Sequence, residues 1–174
     1  MSSILKVDEI QNTTGKTGLV ITPDGTVTVP SVKFPEQSNP SGRVITSTTM
    51  SSYEEGTWTP VPFAASGGFA GTVTINSANY TKIGSTVWVD AYFNVDVTNV
   101  GSGDARIGGL PFTVSDDFSP FKAAHGNLVS SNGGRFMKNT KEMMFITDYS
   151  VTFEPFVGTG LRRIIISGHY HTNE

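Results

Sequence analysis

Two adjacent carboxylates, Glu54 and Glu55, stand in the stretch YEEGTWTP beside Tyr53, Gly56 and Trp58. Glycoside hydrolysis uses two carboxyl groups that flank one glycosidic bond. Extended backbone sends neighbouring side chains to opposite faces, so Glu54 and Glu55 do not flank a bond together. A partner would have to come from Asp90, Asp96, Asp116 or Asp117, and the sequence singles out none of these. The pair is therefore read as strand-entry residues making caps or surface contacts, and the chain as non-enzymatic.

A second grouping is His169 and His171 in the closing stretch GHYHTNE. On a strand the H-x-H spacing puts both rings on one face. Two nitrogens are too few for a tight metal site, whereas three chains meeting on an axis would supply six, an octahedral set. The alternative is two polar residues at a strand end, and no cofactor is expected. His125, in KAAHGNL, has no cysteine or acidic neighbour at ligand spacing and reads as a core or turn residue. No G-x-S-x-G elbow is present, and the glycines of GSGDARIGG precede no helix that would cradle phosphate. Arg135, Lys138 and Lys141 follow the turn SSNGG in RFMKNTKEMM. They would suit an acidic glycan, or form a solvated loop.

Short strands must position these residues. The 174 residues suit one domain plus an appendage. With 37% hydrophobic and 16% charged residues the chain can build a core, and 19 glycines and 9 prolines suit tight turns. There is no cysteine, hence no disulfide or thiolate site. A net charge of -3 without basic clusters disfavours nucleic acid as a partner. No run approaches the roughly 18 apolar residues of a membrane helix, and MSSILKVDEIQ lacks the layout of a secretory signal.

Residues 1–30 read as a small hairpin-like unit, with strands in GLVITPDGTVTVP around Pro23-Asp24-Gly25. They carry too few apolar positions to close a core alone. Residues 31–52 read as a linker with a short strand at 43–47. Over 53–174, strands are expected at 57–63, 72–75, 79–83, 86–97, 106–107, 125–129, 143–147, 150–154 and 163–170, with turn signals between them. That pattern predicts an all-β domain, an antiparallel β-sandwich of jelly-roll type. In TVWVDAYFNVDV one face is Val87, Val89, Ala91, Phe93, Val95 and Val97, and the other carries Trp88 and Tyr92 with polar residues. The first face is core. The second is expected to be covered by a ligand or a neighbouring subunit, which would bury apolar surface at roughly 25 cal/mol per Å².

Four motifs, YEEGTWTP, NYTKIGSTVWV, IGGLPFT and ISGHY, occur in this order over about residues 53–172. In this the chain resembles the C-terminal domain of tailed-bacteriophage tail-fibre proteins. SSILKVDEIQNTTGKTGLVITPDGTVTVP is also similar to segments upstream of such domains in phages of marine cyanobacteria. The resemblance implies a non-enzymatic homotrimer in the virion, touching bacterial or cyanobacterial surface polysaccharide or lipopolysaccharide and other phage tail proteins. Two departures stand out: no long shaft or large virion-anchoring domain is expected in so short a chain, and His169 stands where a threonine or similar residue is expected.

Within the motifs, Gly56, Trp58, Pro60, Tyr80, Gly84, Leu110, Pro111 and Phe112 are expected to shape turns and core. Receptor contacts are sought instead in predicted loops, at Phe69, Phe118, Phe121, Arg135 and Lys138. Trp88 and Tyr92 are assigned to a subunit interface, and His169 with His171 to a metal on the threefold axis. An alternative reading is a structural virion protein, an adaptor or decoration protein that binds other phage proteins. A third, glycan cleavage, would depend on Glu54 or Glu55.

Overall fold

The computed structural model describes residues 9–11, 17–29, 32–33, 49–50, 52–115, 119–125, 129, 133–147, 152–153 and 155–174. The chain divides into two compact units, Met1–Ser52 and Tyr53–Glu174.

In the first unit β1 (Glu9–Gln11), β2 (Thr17–Ile21) and β3 (Val27–Thr28) form a three-stranded antiparallel sheet in that order. The β2–β3 turn follows from its side chains. The Asp24 carboxylate accepts from the Thr26 amide at 3.0 Å and from the Thr22 hydroxyl. Gly25 supplies the positive φ of 84° that closes the turn. Those bonds, that from the Thr22 hydroxyl foremost, hold the Asp24 carboxyl below its ordinary range. Ile21, Val27 and Val29 remain exposed. β4 (Val32–Lys33) pairs with β5 (Thr49–Met50). The strand expected at 43–47 lies outside the described residues.

The second unit is built from β6 (Tyr53–Thr57), β7 (Val61–Ala64), β8 (Phe69–Ile83), β9 (Thr86–Val100), β10 (Ala105–Gly108), β11 (Pro120–His125), β12 (Gly133–Met137), β13 (Glu142–Thr147), β14 (Thr152–Phe153) and β15 (Gly160–His171). They form one antiparallel sheet in the order β6-β8-β9-β15-β11-β12-β13-β10-β7, with β14 beside β13. Among the described residues every helix or strand assigned is a strand. The expected antiparallel sandwich is thus made by one sheet curling over on itself. Inner-face residues of β9 and β15 (Val89, Phe93, Ile164, Ile166, Tyr170) share a single core with those of β10, β12 and β13 (Ile107, Phe136, Phe145).

The inner face of β9 runs Val87, Val89, Ala91, Phe93, Val95, Val97, all buried as the alternation requires. Elsewhere the boundaries shift for physical reasons. The strands expected at 72–75 and 79–83 are one strand, because a bulge between Ile75 and Ser77 absorbs the polar break and lets pairing with β9 continue. The strand expected at 57–63 is interrupted at 58–60, where the Trp58 amide turns to the Ala78 carbonyl at 3.1 Å. Of the strand expected at 125–129, residues 126–128 lie outside the described residues; His125 belongs to β11, which begins at Pro120, a first position where the missing amide costs no ladder bond.

In the SSNGG stretch, expected as a turn, Gly133 and Gly134 are the first residues of β12, and 130–132 lie outside the described residues. There a Cβ on Gly133 would lie 2.6 Å from the Phe121 carbonyl oxygen, and one on Gly134 2.0 Å from that of Met144. These glycines mark close backbone approach rather than a reversal.

Gly134→Ala is accordingly expected to destabilise the full chain by about 1–3 kcal/mol, because the clash is with backbone rather than with the end of a flexible side chain. Phe136→Ala, which opens a cavity against Phe121 and Tyr170, is expected to cost about 3–5 kcal/mol. Urea midpoints for both variants check these values.

Candidate functional site

The four sequence motifs converge in space. Tyr80, on the inner face of β8, donates its hydroxyl to the Glu54 carboxylate and lies against Gly56, where a Cβ would come within 2.7 Å of the ring. The Phe112 ring meets Tyr80 edge-on at 5.4 Å between centroids, and the Lys82 ammonium sits 5.2 Å from the Phe112 centroid. Lys82 is only 7% exposed, so this cation lies over the aromatic face largely out of water. The backbone of Phe112 is held in turn by Tyr170, whose hydroxyl donates to the Phe112 carbonyl at 3.1 Å and accepts from its amide at 3.2 Å.

Gly109, at φ 85°, passes so close to Thr59 that a Cβ would lie 2.0 Å from its carbonyl oxygen. The Trp58 indole donates to the Asp90 carbonyl at 3.1 Å, and Gly168 leaves room for the Phe121 Cβ and the Phe136 ring. Trp58, Pro60, Tyr170 and Leu110 are buried. These motif residues are architectural, and they join β6, β8, the turn after β10 and β15 into one knot.

Electrostatics in the knot follow from its packing. Burial pushes the Tyr170 phenol far above its usual range. The bond to Glu54 raises that of Tyr80, and the bond to Glu55 raises that of Tyr53. Glu174 accepts from the Thr113 amide at 3.0 Å and lies 3.9 Å from the Lys141 ammonium. Hydrogen bonding from Thr113 holds its carboxyl below the ordinary range. The two carboxylates of YEEG are divided between faces of β6: Glu54, exposed, accepts from Tyr80 on the inner-face side, and Glu55 accepts from Tyr53 on the outer.

The outer face of β8, β9 and β15 differs in character. Register places Trp88 opposite His169, Asp90 opposite Ser167, Tyr92 opposite Ile165, Asn94 opposite Arg163 and Asp96 opposite Leu161. Trp88 is 45% exposed, Ile165 45% and Leu161 69%, a strip of large apolar side chains on a sheet face whose opposite side already supplies the core. The Trp88 and His169 rings are 6.5 Å apart, and the Arg163 guanidinium lies 5.6 Å over the Tyr92 ring. Asn79 donates to the Asp90 carboxylate at 3.3 Å. Such a strip offers flat aromatic surface interleaved with hydrogen-bonding groups, suited to stacking and docking rather than to enclosing a small molecule.

The loop candidates are redistributed. Phe121, expected in a loop, is in β11 and 4% exposed, packed edge-on against Phe136 and Phe145, so it is core and not a contact. Phe69, also expected in a loop, opens β8 half-buried, its ring 4.7 Å from that of Phe156. Arg135 lies in β12, half-buried, rather than in a loop, and Lys138 is exposed in the turn after it. Phe118, Asp116 and Asp117 lie outside the described residues. His125 is the last residue of β11.

His169 and His171 do share the outer face of β15, with His171 Nδ1 3.3 Å from the Thr86 hydroxyl. Among the described residues no group of three or more histidine, cysteine or acidic side chains is gathered for a metal within one chain. Ile165, Arg163 and Lys122 complete the face around Trp88 and Tyr92 and were not singled out from sequence. The alternation Leu161, Arg163, Ile165, Ser167, His169 in LRRIIISGHY was the signal that would have found most of them.

Tyr170→Phe is expected to cost about 1–3 kcal/mol, because it strands the Phe112 amide and carbonyl in a partly buried site. The pH dependence has a definite sign at Glu174. A depressed folded-state value means stability that is present above the unfolded carboxylate range and lost as pH falls through the folded value. Glu174→Gln is expected to flatten the acid limb of a thermal-melt pH profile slightly and leave neutral pH nearly unchanged. No protein-family model, curated protein or solved structure matches the chain.

Proposed function

We propose that this chain is a bacteriophage tail-fibre or receptor-binding protein, a non-enzymatic trimeric adhesin for host-surface glycan that is carried in the virion. The observation that carries the reading is the knot. The motifs by which the sequence resembles tail-fibre C-terminal domains are far apart along the chain, yet Glu54, Gly56, Tyr80, Phe112 and Tyr170 form one contiguous set of contacts. Motifs that are unrelated coincidences have no reason to pack on one another. The glycines and aromatic rings in them serve a common framework, which supports treating the resemblance as one domain rather than four short matches.

The framework leaves the outer face free for function. Trp88, Tyr92, Ile165 and Leu161 lie on that face, where burial against a subunit or a sugar surface would release water from apolar area. Lys138, in the exposed turn after β12, remains a candidate for contact with an acidic glycan.

The test uses the fluorescently labelled full chain, incubated with a panel of marine cyanobacterial and other Gram-negative cells, and in parallel with disrupted phage tails. Saturable retention on particular cells, competed by their purified lipopolysaccharide, is the expected result. Retention on tail proteins alone, with no cell binding, would replace the adhesin by a structural virion component. Release of oligosaccharide from the envelope, lost in Glu54→Gln or Glu55→Gln, would overturn the non-enzymatic reading.

A further inference from the structure

The charges on the outer face are sorted by sign. On β6 the exposed acidic residue of this face is Glu55, and on β9 they are Asp90 and Asp96. On β15 the face carries Arg163, His169 and His171, and on β11 it carries Lys122, which is opposite Ser167. Sheet order is β6-β8-β9-β15-β11. Among the described residues of these five strands, the carboxylates of this face therefore lie on the β9 side and the cationic or imidazole side chains on the β15 side. The apolar strip of Trp88, Tyr92 and Ile165 runs along the seam between the two halves.

A face divided in this way is complementary to itself. About an axis along the strands, the rotation that carries one copy to the next sets the basic half of one against the acidic half of its neighbour, a head-to-tail contact. Successive copies around a closed ring make the same contact, basic half to acidic half, at each seam. A neutral sugar chain gains nothing from the sorted signs, and a uniformly acidic glycan would be repelled by Asp90 and Asp96. A second copy of this chain carries the required pattern by necessity.

We propose that the β9–β15 face is the self-association surface of this protein, with Trp88, Tyr92 and Ile165 at its centre and Asp90 and Asp96 of one copy set against Lys122 and Arg163 of the next. The assignment deepens the trimeric reading above and rests on it only for the number of copies. Sorted charge fixes which way round the copies meet, and the apolar seam supplies affinity.

Sedimentation equilibrium of the full chain tests the proposal with three charge variants: Asp90→Lys with Asp96→Lys, Lys122→Glu with Arg163→Glu, and all four together. The wild-type chain is expected to sediment as a multiple of 18.6 kDa. Its dissociation constant should rise with salt, because the paired charges are exposed and screened. Each half-reversal sets like charges together and is expected to weaken assembly by about tenfold or more, whereas the fourfold variant regains the wild-type mass because its halves are merely exchanged. All four side chains are exposed, so circular dichroism of each variant should match wild type.

A wild-type chain that stays at 18.6 kDa overturns the proposal, as does a salt-independent constant or a fourfold variant no better than either half-reversal. Cell binding by a monomeric chain would sink this interface and leave the adhesin reading standing. Assembly that behaves as described, without cell binding, would do the opposite.

Discussion

The antiparallel pairing of β9 with β15 is the constraint on which the rest of the structure depends. It runs without interruption from Gly160 opposite Val97 to His171 opposite Thr86. A ladder of that length locks both strands to a period of two, and a one-residue slip would exchange every inner side chain for an outer one. Val87 to Val97 and Ile164 to Tyr170 are thereby committed to the core, and Trp88, Tyr92, Arg163 and Ile165 to the other face. β8 extends the same sheet on one side and β11 on the other.

Such a sheet is stable only when its apolar face is covered, and here the cover comes from the same sheet after it curls. The return path through β12, β13 and β10 brings Phe136, Phe145 and Ile107 into one core with Phe93 and Ile166. Phe136 stacks at 4.9 Å on Tyr170, which in turn grips the backbone of Phe112. Core packing and the turn after β10 are therefore coupled through a single buried phenol. The tight glycines serve this closure. Gly134 and Gly168 let strand and ring approach where a methyl group would not fit.

The outer face lies on the opposite side of the sheet from that machinery. Glu54, Gly56, Trp58, Tyr80, Phe112 and Tyr170 lie inside or at the knot, whereas Glu55, Trp88 and His169 of the same motifs lie on the outer face with an aromatic strip and a sorted set of charges. On that face aromatic rings alternate with polar groups, Trp88 and Tyr92 with Asp90 and Asn94. Glu54 and Glu55 illustrate the same division. Adjacent in sequence, they are drawn to different tyrosines on different faces.

Period-two patterning in TVWVDAYFNVDV was enough to specify β9, its buried face and the placing of Trp88 and Tyr92 on the other face, because strand geometry relates neighbouring side chains locally. The turn at Pro23-Asp24-Gly25 was legible for the same reason, its bonds joining residues within four positions of one another. Loop assignments at Phe69, Phe121 and Arg135 failed because glycine and proline nearby looked like turns, whereas Gly133, Gly134 and Pro120 sit inside or at the start of strands. Whether a glycine reverses the chain or admits a neighbour depends on backbone that arrives from elsewhere in the sequence. The sorting of charge between β9 and β15 is likewise tertiary, since those strands are separated by some sixty residues and become neighbours only through the sheet order. Local sequence determined which face each side chain would take; the tertiary structure alone decided which faces would meet, because strand pairing is set by long-range packing and not by any one segment.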